Sequence, residues 1–371
     1  MLVHVLVLNH NGRRLLAECL PSVLDAAAAS RHDCRVAVID NDSSDGSVAW
    51  LAEHLPGVEV IRRPNRVLVS FNDVVAALSG KVAILLNNDV KLDRRAIDPL
   101  VEPLVEEGFR VQGSGFRTLT PQRCFMTAPR CLRFDGATYE GLKAAVLWRF
   151  GLVEATAFFE GHERVIDLAD LTAAAGSVLA VDRRIFTELG GFDPVYLPGR
   201  LEDLDFAYRG YLAGCHALYV PEALAYHLGM GTFGEAYGRS GCDLLALRNT
   251  LLFQWKHLRH PLHVLRQAVG LPARLVLDVL RAAWLPAPRR FLFTRALVAA
   301  LARAPQIVRA CQKSPTSRER EFFRRFHPRR MAEVPGTRGW GLGTGRSSGR
   351  AVEPEHEVLN PEPRTLNPLS S

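Results

Sequence analysis

The feature that most constrains the fold is the alternation, over the first hundred residues, of short apolar runs with segments of helical spacing. The apolar runs are LVHVLVL (2–8), RVAVID (35–40), VEVIR (58–62) and KVAILLN (81–87). Continuous apolar character is typical of strands that are covered on both faces. Between the runs, apolar residues recur at helix-face spacing, as in RRLLAECLPSVL (13–24). This alternation predicts an α/β fold with a mostly parallel central sheet flanked by helices.

Polar residues follow three of these predicted strands. They are the groups 9–11 (Asn-His-Asn), 40–42 (Asp-Asn-Asp) and 87–89 (Asn-Asn-Asp). Ligands of open α/β sheets collect at the carboxyl ends of the strands. We therefore expect a binding site at this edge of the sheet.

The remainder of the chain is less uniform. In the region 113–175, RCFMTAPRCLRFDG (123–136) indicates a loop or hairpin and LKAAVLWRFGL (142–152) a short amphipathic element. Strand, short helix and strand follow in GSVLAVD, RRIFTELGG and HALYVP. We predict a first domain over 1–243, a basic helical extension over 244–334 and a disordered tail over 335–371.

Composition narrows the class of protein. The chain has 371 residues, 48% of them hydrophobic, which suffices for a large core. Its seven cysteines contain no CxxC pair, so they indicate neither a zinc knuckle nor a disulfide framework, and a reducing cytosol fits best. The apolar amino terminus is too short for a membrane span and lacks a basic leader, so we interpret it as a buried first strand.

The net charge of +7 is concentrated towards the C-terminus. Residues 231–335 carry 19 Lys/Arg against 6 Asp/Glu, or +13, which leaves −6 for the rest. This region contains no nucleic-acid-binding motif, and its arginines alternate with apolar residues as on a membrane-surface helix. We therefore expect contact with an anionic membrane surface and no nucleic acid. The alternative is a helical layer that covers the protein's own core.

An acidic cluster, LEDLDF (201–206), places three carboxylates among apolar residues. Such carboxylates need a partner. They could stabilise the start of a helix or form a working site, and the residues alone leave both open.

Several motifs, taken in order, resemble the family 2 glycosyltransferases of the GT-A fold, most closely the rhamnosyltransferase-like bacterial branch. They are VLNHNGRRLLAECLPSVL, VIDNDSSDGSVAWL, AILLNNDVKLD, GSVLAVDRRIFTELGGFD, EDLDFAYRGYLAGCHALYVPEALAYH and LRNTLLFQWKHL. Together they span residues 2 to about 258. The resemblance implies a GT-A type nucleotide-sugar-binding fold with a C-terminal helical extension.

The resemblance also implies site residues. It places contacts with the nucleotide-diphosphate-sugar at Leu8, Asn9, Asn11, Asp40, Asp42, Asn87 and Gly176. It implies that Asp89 and His227 bind a divalent metal, Mg²⁺ or Mn²⁺, with Asn87 in the position of the first metal-binding aspartate. Asp203 would be the general base and Glu202 would position it or the acceptor.

Three further residues have simpler interpretations. We expect Asp45 to cap a turn or helix, and Asp205 to cap the following helix or pair with Arg209. Arg66 lies where relatives have a loop of small residues, and it either reaches a phosphate or is solvated.

The predicted function is inverting transfer of a hexose or deoxyhexose from a nucleotide-diphosphate-sugar to a glycan or lipid-linked acceptor, in the cytoplasm or on the inner face of the cell membrane. A non-catalytic sugar-binding relative is an alternative. A sugar nucleotidyltransferase is another, although the expected Gly-rich phosphate loop and activating lysine are absent.

Overall fold

A computed structural model describes residues 1–106, 123–229, 231–310 and 316–334. Its strands are β1 (Leu2–Asn9), β2 (Asp33–Asp40), β3 (Glu59–Arg62), β4 (Val82–Asn87), β5 (Val90–Leu92), β6 (Cys124–Arg133), β7 (Tyr139–Gly141), β8 (Ala145–Arg149), β9 (Leu152–Thr156), β10 (Asp170–Leu171), β11 (Val178–Asp182) and β12 (His216–His227). Its helices are α1 (Arg13–Ala29), α2 (Ser47–His54), α3 (Ser70–Ala77), α4 (Ile97–Val105), α5 (Arg183–Glu188), α6 (Glu202–Leu212), α7 (Gly231–His257), α8 (Pro261–Ala282), α9 (Leu292–Ala310), α10 (Thr316–Arg325) and α11 (Pro328–Met331).

The main sheet has the strand order β10-β12-β6-β11-β4-β1-β2-β3. The first four strands along the chain pair in parallel, whereas β11 runs antiparallel to both β4 and β6. The predicted α/β fold is confirmed, with a parallel N-terminal half joined to a mixed second half. The register pairs Asn9 with Asp40 and Leu8 with Asn87, which brings the polar strand ends to one edge.

The centre of the sheet is buried on both faces, as its continuous apolar strands predict. In β4, Val82, Ile84 and Leu86 join the core on one face, while Ala83 and Leu85 join the core on the other. Successive side chains of a strand point to opposite faces, so a single apolar run contributes side chains to the cores on both faces of the sheet.

Two segments of the region 113–175 form strands. RCFMTAPRCLRFDG, expected as a loop or hairpin, begins a hairpin, since its ten-residue strand β6 pairs antiparallel with β7. Pro129 fits in β6 because the register with β12 shifts beside it, between Val220 and Leu224. LKAAVLWRFGL forms most of the β8–β9 hairpin, whose turn uses positive φ at Phe150 and Gly151. The spacing of apolar residues could not distinguish this short hairpin from an amphipathic helix.

The C-terminal helices pack on the sheet domain. Leu251, Leu252 and Phe253 of α7 are fully buried in the core that also contains β1 and β4. Helix α7 extends across residue 243, and the predicted division there stays a prediction. The predicted disordered tail, 335–371, lies outside the described residues. Within the described ranges, no helix is both long and apolar enough to cross a membrane.

Candidate functional site

A cleft of about 1120 Å³ opens at the carboxyl ends of β1 and β4. Leu8, Asn87 and Asp89 line it from the sheet, and Glu202 and Asp203 line it from the start of α6. The predicted metal ligands, the predicted catalytic acids and three of the predicted donor contacts thus lie in one cavity, although more than a hundred residues separate Asp89 from Asp203 in the chain.

Asn9 and Asp40 hold two strand ends together. The Asn9 Nδ2 donates to Asp40 Oδ1 at 3.3 Å and to Ser43 Oγ at 3.2 Å, while Asn88 Nδ2 donates to Asn9 Oδ1 at 2.8 Å. Both Asn9 and Asp40 are almost completely buried, and neither lines the cleft. They hold the carboxyl ends of β1 and β2 together at this edge of the sheet.

Gly12 is required by close packing against this network. A Cβ atom at position 12 would lie 2.0 Å from Asn88 Nδ2 and 2.6 Å from Asn9 Oδ1. Asn88 belongs to the polar group 87–89 that was expected at this edge, whereas Gly12 was not among the predicted site residues. The HNG turn after the first strand is the signal that could have identified the glycine.

The other predicted nucleotide contacts lie partly inside and partly outside the cleft. Gly176 lines the cleft together with Leu8 and Asn87, whereas Asn11 and Asp42 do not. Asn11 accepts a hydrogen bond from the Ser44 backbone N–H at 2.7 Å, and Asp42 is exposed. In their place His10 and Asn41 reach the cleft, with 2.7 Å between His10 Nδ1 and the Asn41 carbonyl oxygen.

Asp45 makes the turn contacts expected of it. Its carboxylate accepts hydrogen bonds from the backbone N–H groups of Ser47 at 3.0 Å and Arg13 at 2.8 Å. It therefore links the starts of α1 and α2.

The loop that replaces the small residues of relatives forms one wall of the cleft. Val67 and Leu68 line it, while Arg66 pairs with Asp73 at 2.7 Å on the surface, where both side chains are about half exposed. The arginine is thus paired with a carboxylate of the helix that follows, α3.

Asp89, His227 and Glu140 form a chain of contacts at the cleft. His227 Nε2 lies 3.3 Å from Asp89 Oδ2, and His227 Nδ1 lies 3.2 Å from Glu140 Oε1. Burial by itself would lower the pKa of His227, but the two carboxylates raise it to about 9. The β12–β5 register opposes His227 to Val90, which places it beside Asp89.

These residues suit a metal only as a partial ligand set. Asp89 Oδ1 is buried and has no hydrogen-bond partner, which leaves it available to a cation. The contact from Glu140 to the second ring nitrogen is the arrangement that commonly orients a metal-binding histidine. In the described part of the chain, no group of three or more His, Cys, Asp or Glu side chains could enclose a metal. Water and substrate oxygens would have to complete the coordination, as they often do for Mg²⁺.

The carboxylates of the acidic cluster have different surroundings: Glu202 and Asp203 lie at the cleft, and Asp205 does not. Helix α6 begins at Glu202, directly after Arg200 and Leu201, which both have positive φ. Asp203 Oδ2 accepts from the Gly176 N–H at 2.8 Å, which fixes the carboxylate at the cleft wall. Burial and the neighbouring Asp203 raise the pKa of Glu202 to about 8.

Asp205, in contrast, is fully buried and structural. It accepts hydrogen bonds from Arg209 Nε at 2.7 Å, Lys256 Nζ at 2.7 Å, His257 Nε2 at 2.6 Å and the Tyr196 hydroxyl at 2.9 Å. Burial alone would raise the pKa of Asp205, but Arg209 and the groups on α7 hold it well below its ordinary value. The predicted pair with Arg209 is confirmed, and it belongs to a network that joins α6 to α7.

A second set of contacts from α7 fixes the turn that precedes α6. Asn249 Nδ2 donates to the carbonyl oxygens of Tyr196 at 2.7 Å, Gly199 at 2.8 Å and Arg200 at 2.8 Å. Arg248 Nη2 donates to the Leu197 carbonyl at 2.6 Å. The LRNT segment belongs to the last motif of the resemblance. The structure shows that its Arg248 and Asn249 side chains hold the backbone that leads to Glu202 and Asp203.

Comparison with known families supports the resemblance. Residues 4–126, about a third of the chain, match the model of the family described as Glycosyl transferase family 2. The putative polypeptide N-acetylgalactosaminyltransferase 10 of Drosophila melanogaster is 21% identical over 208 residues, which are 53% of this chain and 31% of that protein. The chain therefore spans about a third of that curated relative's length.

Two solved structures are similar to this chain, and the first of them supports the fold. S. aureus TarS (residues 1–349), in complex with UDP-GlcNAc, is 12% identical with a TM-score of 0.50 and covers 84% of each chain. The mannosyltransferase PcManGT from Pyrobaculum calidifontis, in complex with GDP-Man and Mn²⁺, is 16% identical with a TM-score of 0.44 and covers 84% of this chain and 88% of its own. The predicted GT-A type fold is confirmed, and the first third of the chain carries the match to a family 2 glycosyltransferase domain. The rhamnosyltransferase-like branch stays a prediction.

Proposed function

We propose that this protein is an inverting glycosyltransferase that moves a hexose or deoxyhexose from a nucleotide-diphosphate-sugar to a glycan or lipid-linked acceptor. The observation that carries the proposal is the shared cleft: the strand-end residues Asn87 and Asp89 face the same cavity as Asp203. The match of residues 4–126 to glycosyl transferase family 2 supports the reaction class.

In the proposed reaction, Asp203 is the general base. The acceptor hydroxyl oxygen forms a bond to the anomeric carbon while the bond from that carbon to the diphosphate oxygen breaks. The diphosphate leaves with the bonding electrons, and the hydroxyl proton goes to the Asp203 carboxylate. Attack from the side opposite the diphosphate inverts the anomeric centre. Glu202, whose pKa is about 8, would hold a proton near neutral pH and position the acceptor by hydrogen bonding.

Asp89 and His227 are the proposed metal ligands. A divalent cation held there would offset the negative charge of the departing diphosphate. The unpartnered, buried Asp89 Oδ1 supports this assignment, and Glu140 would orient the His227 ring from the opposite side. Asn87 would contribute an amide oxygen to the donor or to the metal's water shell.

We place the proposed activity in a reducing compartment, at the cytoplasmic face of the membrane. The cysteines among the described residues are all free thiols, which is typical of proteins that remain in the cytosol. A lipid-linked acceptor would explain why a glycosyltransferase carries an arginine-rich C-terminal region.

The test uses the purified full chain with a panel of nucleotide-diphosphate-sugars and Mn²⁺ or Mg²⁺. A donor that binds the folded state raises the midpoint of thermal unfolding. Release of nucleotide diphosphate is then measured with and without candidate glycan acceptors. The expected result is a thermal shift with at least one donor and acceptor-stimulated release. Absence of both for every donor would contradict the proposed function.

A non-catalytic nucleotide-sugar-binding protein is the second candidate. It is favoured by Asn87 in the position of the first metal-binding aspartate and by the ion pair that already occupies Asp89 Oδ2. The same assay separates the two candidates, because a binding protein gives the thermal shift without diphosphate release.

A further inference from the structure

Helix α8 (Pro261–Ala282) presents an apolar face to solvent over its whole length. Six residues at helical spacing form this outer face: Leu262, Leu265, Val269, Val276, Val279 and Leu280. Each of them is between 47% and 65% exposed, and Trp284, just beyond the helix, is 87% exposed. A 22-residue helix is about 33 Å long, so this is a continuous apolar stripe rather than scattered surface residues.

The opposite face of α8 is firmly attached to the protein. His263 and Gln267 are buried, and Gly270 packs so closely on Gly151 of the β8–β9 turn that a Cβ atom there would lie 2.4 Å from the Gly151 Cα. Arg274 donates from Nε to the Phe150 carbonyl at 2.7 Å. The orientation of the helix is therefore fixed by tertiary contacts, and these contacts leave the apolar face outward.

The charged residues around the apolar face indicate which kind of partner would bind it. Residues 258–310 contain nine arginines and one carboxylate, Asp278. That carboxylate is occupied, since its Oδ2 accepts hydrogen bonds from the Thr294 backbone and hydroxyl at 2.8 Å each. Arg266, Arg281, Arg289 and Arg290 are exposed. An apolar stripe bordered by arginines, with a tryptophan at one end, is complementary to an anionic lipid surface.

We propose that α8 lies on an anionic membrane, with its outer face inserted at the level of the headgroups. Arg274 of α8 and Leu292 of α9 also line the cleft, so the docked helix would hold the cleft beside the bilayer. This inference deepens the proposed function, since it rests on that proposal for the statement that the acceptor is lipid-linked. The membrane contact itself depends only on α8 and its surroundings.

Flotation of the full-length protein with liposomes tests the contact, in the absence of nucleotide sugar. Liposomes containing about one third phosphatidylglycerol are compared with purely zwitterionic liposomes at low and high salt. We expect co-flotation with the anionic liposomes at low salt and release at high salt. Protein that remains at the bottom of the gradient with anionic liposomes at low salt would overturn the proposal.

Two variants and a control identify the surface. Val269→Glu combined with Val276→Glu, both at exposed positions, should abolish flotation. Arg281→Gln with Arg289→Gln should weaken partitioning by about fivefold for each arginine removed. The control, Ala28→Glu with Ala76→Glu, changes the net charge equally on exposed positions of α1 and α3 and should float like the parent. Flotation that persists in the Val269/Val276 variant would overturn the assignment to α8.

A second copy of the chain is the competing occupant of the outer face. Light scattering after gel filtration would then show a dimer that the Val269/Val276 variant converts to a monomer, without flotation of the parent, and that result would overturn the proposal. Flotation without sugar transfer would instead remove the glycosyltransferase function while leaving the membrane contact in place.

Discussion

The proposed donor side and the proposed acceptor side of the cleft are built in different ways. On the proposed donor side, hydrogen bonds among Asn9, Asp40 and Asn88 join neighbouring strand ends of the sheet, and of these three only Asn88 lines the cleft. On the proposed acceptor side, Asp203 accepts from the Gly176 N–H, and the turn before it is held by Asn249 of α7. The donor side therefore rests on the order of parallel strands, whereas the acceptor side rests on contacts between loops and helices.

This difference has a consequence for function. A change on the donor side should affect nucleotide binding, and a change on the acceptor side should affect transfer with little effect on donor affinity. Variants on each side of the cleft test whether donor binding and transfer can be altered separately.

The largest effect is expected from Asp203→Asn. Loss of a general base should reduce transfer by about 10²–10⁴-fold, while calorimetric affinity for the donor changes little, because the base acts on the acceptor proton. The asparagine oxygen can still accept from the Gly176 N–H, so the fold should be kept. Asp25→Asn, at an exposed position of α1, is the control for the same chemical change. Transfer at the parental rate would show that Asp203 is not the base.

Asp89→Ala tests the donor side. It removes the proposed metal ligand and should weaken metal-supported binding of the donor by at least about tenfold, as measured by calorimetry with Mn²⁺. Glu140→Gln, which keeps the hydrogen bond to His227 but removes a charge, should have a smaller effect. Full transfer activity in the presence of EDTA would be incompatible with the metal assignment.

Asn249→Ala tests the contacts between α7 and the turn before α6. Three backbone carbonyls lose a donor, and we expect the free energy of unfolding to fall by about 1–3 kcal/mol. Transfer should fall by less than about 100-fold, through misplacement of Asp203, while donor affinity is retained.

The matched control for this variant is Asn72→Ala. Asn72 braces the same connection between α5 and α6, since its Nδ2 donates to the Phe192 carbonyl at 2.8 Å, but Phe192 is further along the chain from Asp203 than the carbonyls that Asn249 holds. A similar loss of stability with a smaller loss of transfer is expected. If both variants reduce transfer equally, Asn249 has no specific positioning role.

The last prediction concerns the pH dependence of stability. The pKa of Glu202 in the folded protein is about 8, above the ordinary glutamate value of 4.5, so the folded state binds more protons than the unfolded state between these two values. The stability of the parent should therefore decrease as pH rises from about 4.5 to 8, by at most about 1.4 kcal/mol per pH unit from this group. Glu202→Gln removes this contribution, and chemical denaturation at pH 5 and pH 8 should show the variant gaining stability relative to the parent at the higher pH. An unchanged difference between the two proteins would contradict the raised pKa.

Much of the N-terminal half could be predicted from the sequence. The strands β1 to β4 and their parallel order follow from apolar runs of the right length and spacing, because a strand buried on both faces must be apolar throughout. The position of the polar residues at the strand ends follows from the same pattern. The strands at residues 123–152 were harder to predict from the sequence. Pro129 is unusual within a strand, and the apolar spacing of the short hairpin could not be distinguished from that of an amphipathic helix.

From residue type and spacing, the start of a helix was one of two interpretations of Glu202, Asp203 and Asp205, and α6 begins at Glu202. Only the tertiary structure decided that Asp205 is buried among Arg209, Lys256 and His257 while Asp203 faces the cleft. The physical reason is that a sequence pattern fixes which side chains share a helical turn, but the energy of a charged group depends on the groups that distant segments bring to it. The same reason explains α8: its sequence predicts an amphipathic helix, and only its packing on the β8–β9 hairpin determines that the apolar face points outward.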